Sequence, residues 1–110
     1  MRRFALMIAL LASPAGAEPW VTLDGAGVRA ALEGRVIAFE TARQDFRSSG
    51  RTLYVFGGRD SWGYWRVQGD QYCSQWPPSD LWACYDIAVS GAMVRFVGTG
   101  NDVTDGVYAD

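Results

Sequence analysis

The chain contains no histidine, and all ten of its basic residues are arginine. The missing imidazole closes off Ser-His-Asp and Cys-His nucleophile systems and histidine metal sites. The missing lysine closes off Schiff-base chemistry with carbonyl substrates or pyridoxal phosphate. Arginine stays protonated and does not serve as a general base. Catalysis would have to rest on carboxylates, tyrosines or a free cysteine. Asp86 is the one acid that falls inside a strand in the reading below, Glu40 ends another, and the remaining aspartates sit in turns or near the termini, so no carboxylate dyad can be nominated. Glycine-rich pieces such as Gly98-Thr99-Gly100 lack the Gly-x-Gly-x-x-Gly spacing and the lysine of nucleotide sites. The stretch Asn101 to Gly106 has Val103 where a calcium loop needs a ligand. The expectation is a protein that is not an enzyme and uses no metal or cofactor.

Long apolar runs are equally scarce, and the single one stands at the start. Arg2 and Arg3 precede an almost unbroken apolar stretch from Phe4 to Ala12, followed by the small residues Ala15-Gly16-Ala17. This is the pattern of a signal peptide cut after Ala17, and the run is too short for a helix that crosses a bilayer. Residues 18–110 then form one small domain, exported to the periplasm or beyond, with no membrane span of its own. Removing Arg2 and Arg3 takes the net charge from −2 to −4, and no basic stripe remains for a nucleic-acid partner.

Only two cysteines are present, Cys73 and Cys84, and in an oxidising compartment they are expected to form a disulfide. That bond fixes a strand register. Gly69-Asp70 is a two-residue hairpin signal between residues 62–68 and 71–76, and Ser90-Gly91 a weaker one between 82–89 and 92–98. Pairing the cysteines sets Tyr72 opposite Tyr85 and Gln71 opposite Asp86. The first hairpin sets Val67 opposite Tyr72 and Trp65 opposite Ser74. The second sets Ile87 opposite Val94, Tyr85 opposite Phe96 and Asp86 opposite Arg95. All three registers place Trp65, Val67, Tyr72, Tyr85, Ile87, Val89, Val94 and Phe96 on one face, a core face.

Residues 35–40 and 52–56 read as two further strands, 44–50 as a polar hairpin tip, 57–60 as a turn and 103–108 as a last strand. Asp24 can cap a short helix carrying the apolar pair Val28 and Leu32 and ending at Gly34, with Gly25 and Gly27 weakening its start. The expected fold is mainly β (α+β): one short helix, then a six- or seven-strand antiparallel meander curled into an open sheet or small barrel, held by one disulfide.

The polar face collects the candidate ligand-binding residues. Tyr64, Arg66, Gln75, Trp82, Asp86 and Arg95 lie there, with Trp62 at its end, and exposed aromatic rings beside amide and charged groups suit a sugar or a peptide. The competing reading has Asp86 paired with Arg95 and Arg66 across the strands while the rings cover the disulfide. Trp65 and Trp76 are expected in the core.

The run Gly63-Tyr64-Trp65-Arg66-Val67, then Cys73, Trp76-Pro77 and Cys84-Tyr85, with Glu33-Gly34-Arg35 closing the helix, resembles a group of small exported proteins of Gram-negative bacteria that have no established function. The resemblance implies the compartment, the disulfide and the β-fold, and brings no catalytic residue. At the level of fold the chain is also similar to the periplasmic inhibitors of lysozyme, whose inhibitory loop starts with Ser-Gly as at Ser90-Gly91; the aromatic and lysine positions that follow in those proteins are absent here. The functional expectation is a non-catalytic exported binding or interaction module for a small ligand or an envelope protein. The alternatives are an inhibitor of a cell-wall hydrolase and a small carboxylate-dependent hydrolase.

Overall fold

Side chains that point alternately inward and outward along successive strands let this sheet close on itself. The structure, a computed structural model, describes residues 18–110; the expected signal peptide, residues 1–17, lies outside them. The elements are β1 (Val21–Thr22), α1 (Gly25–Leu32), β2 (Arg35–Ala38), β3 (Ala42–Phe46), β4 (Arg51–Phe56), β5 (Arg59–Gln68), β6 (Gln71–Gln75), β7 (Trp82–Ser90), β8 (Met93–Val97) and β9 (Val103–Tyr108). From β2 onward each strand pairs antiparallel with the next, and β9 returns to β2. The result is a closed eight-stranded barrel with one extra strand. That strand, β1, pairs Val21 with Val89 and Thr22 with Ala88, on the edge of β7 that β6 has already left.

The expected mainly β fold with one short helix is therefore present, but with nine strands rather than six or seven. Both unforeseen strands have a physical reason. β1 is two residues long and gains its ladder only because β7 outruns β6. β3 reads Ala-Arg-Gln-Asp-Phe, and its inward positions alternate small, polar and aromatic instead of uniformly apolar. The polar hairpin tip expected over 44–50 is consequently shorter, and Gln44 and Phe46 are buried strand residues. The expected turn over 57–60 is Gly57-Gly58 alone, since β5 starts at Arg59.

The disulfide joins Cys73 to Cys84, directly opposite each other in the β6–β7 ladder. The registers drawn from it and from Gly69-Asp70 hold: Tyr72 faces Tyr85, Gln71 faces Asp86, and Val67 faces Tyr72. The register drawn from Ser90-Gly91 is off by two residues. The turn is Gly91-Ala92, so Ile87 pairs with Phe96, Val89 with Val94, Asp86 with Val97 and Ala88 with Arg95. A slip of two preserves the alternation, which is why the face assignments survive the error.

Helix α1 plugs one end of the barrel. Asp24 caps it, accepting from the Gly27 amide at 2.9 Å. Asp70, in the β5–β6 turn, accepts from the Gly25 amide at 2.8 Å. The helix start lies so close to this turn that a side chain at Gly25 would collide with the Gly69 carbonyl, so the glycine that weakens the helix is what lets it dock. Val28 and Leu32 are fully buried against a core that includes Ile37, Phe46, Trp65 and Ile87. Phe46 is the hub of this layer, with Trp65 at 5.8 Å and Tyr72 at 5.6 Å, both edge-on.

The seam between β9 and β2 has the shortest ladder of the barrel, with Ile37 opposite Tyr108 and Ala38 opposite Val107. It is fastened by side chains. The Arg35 guanidinium lies 3.7 Å over the Tyr108 ring and donates to Asp110 at 2.7 Å, and Asp110 also accepts from the Val36 amide at 3.1 Å. The Tyr108 hydroxyl donates to the Ala31 carbonyl at 2.7 Å, tying the seam to the helix.

The Arg35 hydrogen bond, helped by the Val36 amide, holds the Asp110 carboxyl at a pKa of about 2, below the ordinary 3.8. A carboxylate depressed in the folded state stabilises fully above its unfolded pKa and loses that contribution as pH falls through the folded one. Asp110→Asn is therefore expected to lower the melting temperature at pH 7, with the gap to the parent closing between about pH 4 and pH 2; a gap that persists unchanged at pH 2 would remove this role for the pair. Replacing both cysteines by serine is expected to cost about 3 kcal/mol in urea unfolding, from the restored entropy of the unfolded loop.

Candidate functional site

The strand directions put the connections 39–41, 57–58, 76–81 and 98–102 at the barrel end opposite α1. Among the described residues no helix covers this end, and a cavity of about 620 Å³ opens there. Its floor is a polar crossbar over the Phe46 layer. The buried Gln44 amide donates to the Thr52 hydroxyl and to the Tyr72 hydroxyl, both at 3.0 Å, and so spans from β3 to β6 across the lumen. The Thr52 hydroxyl in turn donates to the Asp45 carbonyl. Burial pushes the Tyr72 phenol above its ordinary pKa, against the opposing pull of its hydrogen bonds with Ser74 and Gln44, so it stays protonated.

The walls are aromatic. Trp76 meets Tyr54 at 6.1 Å, Tyr54 meets Phe39 at 6.5 Å, Phe39 meets Phe96 at 5.5 Å, Phe96 meets Tyr72 at 5.4 Å and Tyr72 meets Tyr85 at 6.0 Å. All six rings line the cavity, and Trp62 is a seventh aromatic residue at its lining. Two inward positions without side chains make room for them. A Cβ at Gly63 would stand 2.6 Å from the Trp76 indole, and one at Gly98 would stand 2.8 Å from the Tyr85 ring. Large rings opposite absent side chains are how a small barrel fits its taper. The Trp76 indole N–H donates to the buried Ser74 hydroxyl at 3.1 Å, which fixes the ring in the wall.

The rim carries Asp60, Ser61, Pro77, Asp102 and Thr104. Asp102 turns inward: its Oδ2 lies 2.8 Å from where a Cβ of Gly98 would be. Burial pushes the Tyr85 phenol up, and the Asp102 carboxylate beside it pushes it further in the same direction. Asp105, three residues on, is on the outer wall, where Arg95 donates to both of its oxygens at 2.8 and 2.9 Å.

The sequence-derived candidates lie outside the barrel. Tyr64, Arg66, Gln75 and Trp82 are neighbours on the outer wall of β5, β6 and β7. The Arg66 guanidinium lies 3.9 Å over the half-buried Trp82 ring and donates to Gln68. Gln75 donates to the Asp80 carbonyl. Asp86 accepts from Gln71 at 3.1 Å rather than pairing with Arg95 or Arg66. Arg95 binds Asp105 and lies 3.9 Å over Trp20, so neither Asp86 nor Arg95 joins the group around Trp82. Trp62 touches the cavity lining and stands under Arg47 and Arg51, with guanidinium carbons at 4.7 and 4.8 Å from the ring centre. Trp65 is a core residue as expected, whereas Trp76 is a half-buried wall of the cavity.

Sequence reasoning assigned Tyr72, Tyr85 and Phe96 to the core face without seeing that the space above them is open. The available signal was the company they keep. Gln44, Ser61, Gly63, Ser74 and Gly98 share the inward parity with these rings, and a packed core has no need of so many small and polar residues on its own face.

Among the described residues no helix is long and apolar enough to cross a membrane, and no group of histidine, cysteine or carboxylate side chains is placed to hold a metal ion. No family model, no curated protein and no solved structure matches this chain.

Proposed function

We propose that this protein is an exported, non-catalytic binding module that holds a small molecule in the open end of its barrel. The cavity carries this reading: about 620 Å³, lined by seven aromatic residues, floored by hydrogen-bonded polar groups and open at the end away from the helix. Small-ligand sites are typically about 300–1,000 Å³, largely apolar, with a few placed polar groups. The disulfide and the apolar leader are what an exported domain carries. With no histidine or lysine in the chain, and with the inward carboxylate set against a tyrosine rather than a second acid, binding is the chemistry that the site's residues support. The outer-wall group around Trp82 is a weaker candidate, because its polar and charged groups already engage one another.

The test is a melting-temperature screen of the oxidised protein against peptidoglycan fragments, oligosaccharides, short peptides, amines and carboxylic acids. A ligand at a hundred times its dissociation constant stabilises by about 2.7 kcal/mol. Ser61→Trp and Thr104→Trp, both at exposed rim positions, are expected to abolish the shift given by any hit while leaving the unliganded melting temperature within a few degrees. Trp82→Ala is expected to leave the shift intact. A hit whose shift survives both rim substitutions and disappears with Trp82→Ala moves the site to the outer wall and overturns the proposal.

A further inference from the structure

The distribution of charge around the cavity says more about its ligand, given that the cavity is a binding site. Eight arginines lie within residues 18–110, and none lines the cavity. Five of them are placed over tryptophans, of which only Trp62 also touches the cavity: Arg29 over Trp65, Arg47 and Arg51 over Trp62, Arg66 over Trp82 and Arg95 over Trp20. Arg35 covers Tyr108 at the seam, Arg43 faces outward on β3, and Arg59 starts β5 beside the rim without reaching the lining. The charged residues that do line the cavity are both acidic, Asp60 and Asp102, and Asp102 aims its carboxylate over the inward face at Gly98. The lumen thus combines aromatic rings with negative charge.

The hydrogen-bonding groups of its floor are engaged with one another, and the remaining polar groups stand at the wall and rim. Gln44 donates to Thr52 and Tyr72, and Trp76 donates to Ser74. A cation held by ring faces needs no free donor or acceptor from that floor. An ammonium group over an aromatic face is attracted by the ring quadrupole, and the attraction strengthens when the site excludes water. A carboxylate at the entrance adds attraction for a cation and repulsion for an anion.

We infer that the ligand class of this cavity is a small organic cation, a tertiary or quaternary ammonium compound seated among Tyr54, Trp76, Tyr85 and Phe96 with Asp102 at its entrance. The inference rests on the binding reading above, and the test separates the two. Phenyltrimethylammonium, benzyl alcohol and benzenesulfonate are titrated into the oxidised, isotopically labelled protein at pH 7. Affinity is read by calorimetry, and location by the indole N–H resonance of Trp76. Phenyltrimethylammonium is expected to move that resonance and to bind at least about tenfold more tightly than benzyl alcohol, with benzenesulfonate weakest. Asp102→Asn is expected to cut the affinity for the cation about tenfold and to leave that for benzyl alcohol unchanged, a pattern that a merely unfolded variant would not give. Equal affinities for all three, or a preference for the sulfonate, with the Trp76 resonance moving, would overturn the cation assignment and leave the cavity as a binding site. A Trp76 resonance that none of the three moves would overturn both.

Discussion

The Gln44 crossbar is the contact on which the interior of this barrel turns. Its amide joins Thr52 on β4 to Tyr72 on β6, and it divides the lumen into two halves with different contents. Below it, Phe46, Trp65 and the helix residues Val28 and Leu32 form a buried apolar core. Above it, the inward positions are aromatic rings interleaved with Ser61, Gly63, Ser74 and Gly98, and the space is not filled. A buried glutamine costs free energy unless its polar atoms are bonded, and here its donors are. Placed between a dry core and an open cavity, it gives the core a polar lid that does not need to be covered by protein.

Closure follows from the same division. An eight-stranded barrel has just enough interior for side chains to fill it or to hold one small ligand. This barrel is filled by side chains at one end and keeps an open cavity at the other. The helix supplies two large apolar side chains to one end, so that end needs no long inward residues of its own. The seam between β2 and β9 is too short to close the barrel by backbone pairing alone, and it is completed by Arg35, Tyr108 and Asp110. The disulfide and the tight turn at Gly69-Asp70 fix the opposite wall, where Asp70 also holds the helix start.

Much of this architecture was legible in the residues. The cysteine pair, the Gly69-Asp70 turn and the alternation in β5, β6 and β7 gave the faces correctly, and Asp24, Val28 and Leu32 gave the helix. What was not legible has one common cause: the inward face is not uniformly apolar. Gln44 made β3 look like a loop, although Phe46, two residues on, is the largest fully buried side chain. Trp76 read as core because a tryptophan in a small β-domain usually buries its large apolar ring, and only the missing side chain at Gly63 shows where that ring goes. The outer candidates drew attention because exposed rings are unusual, but Arg47, Arg51 and Arg66 over Trp62, Tyr64 and Trp82 explain most of that wall without a ligand. Local rules failed at the positions that build the cavity, which is where a functional site is expected to break them.

The measurement that bears most directly on the account is a crystal structure of the oxidised protein with the small molecule that most raises its melting temperature. The account predicts the molecule inside the barrel above Gln44, in contact with Tyr54, Trp76 and Tyr85. A molecule seated on the outer wall over Trp82 and Arg66, with the lumen above Gln44 filled by collapsed side chains, would contradict it.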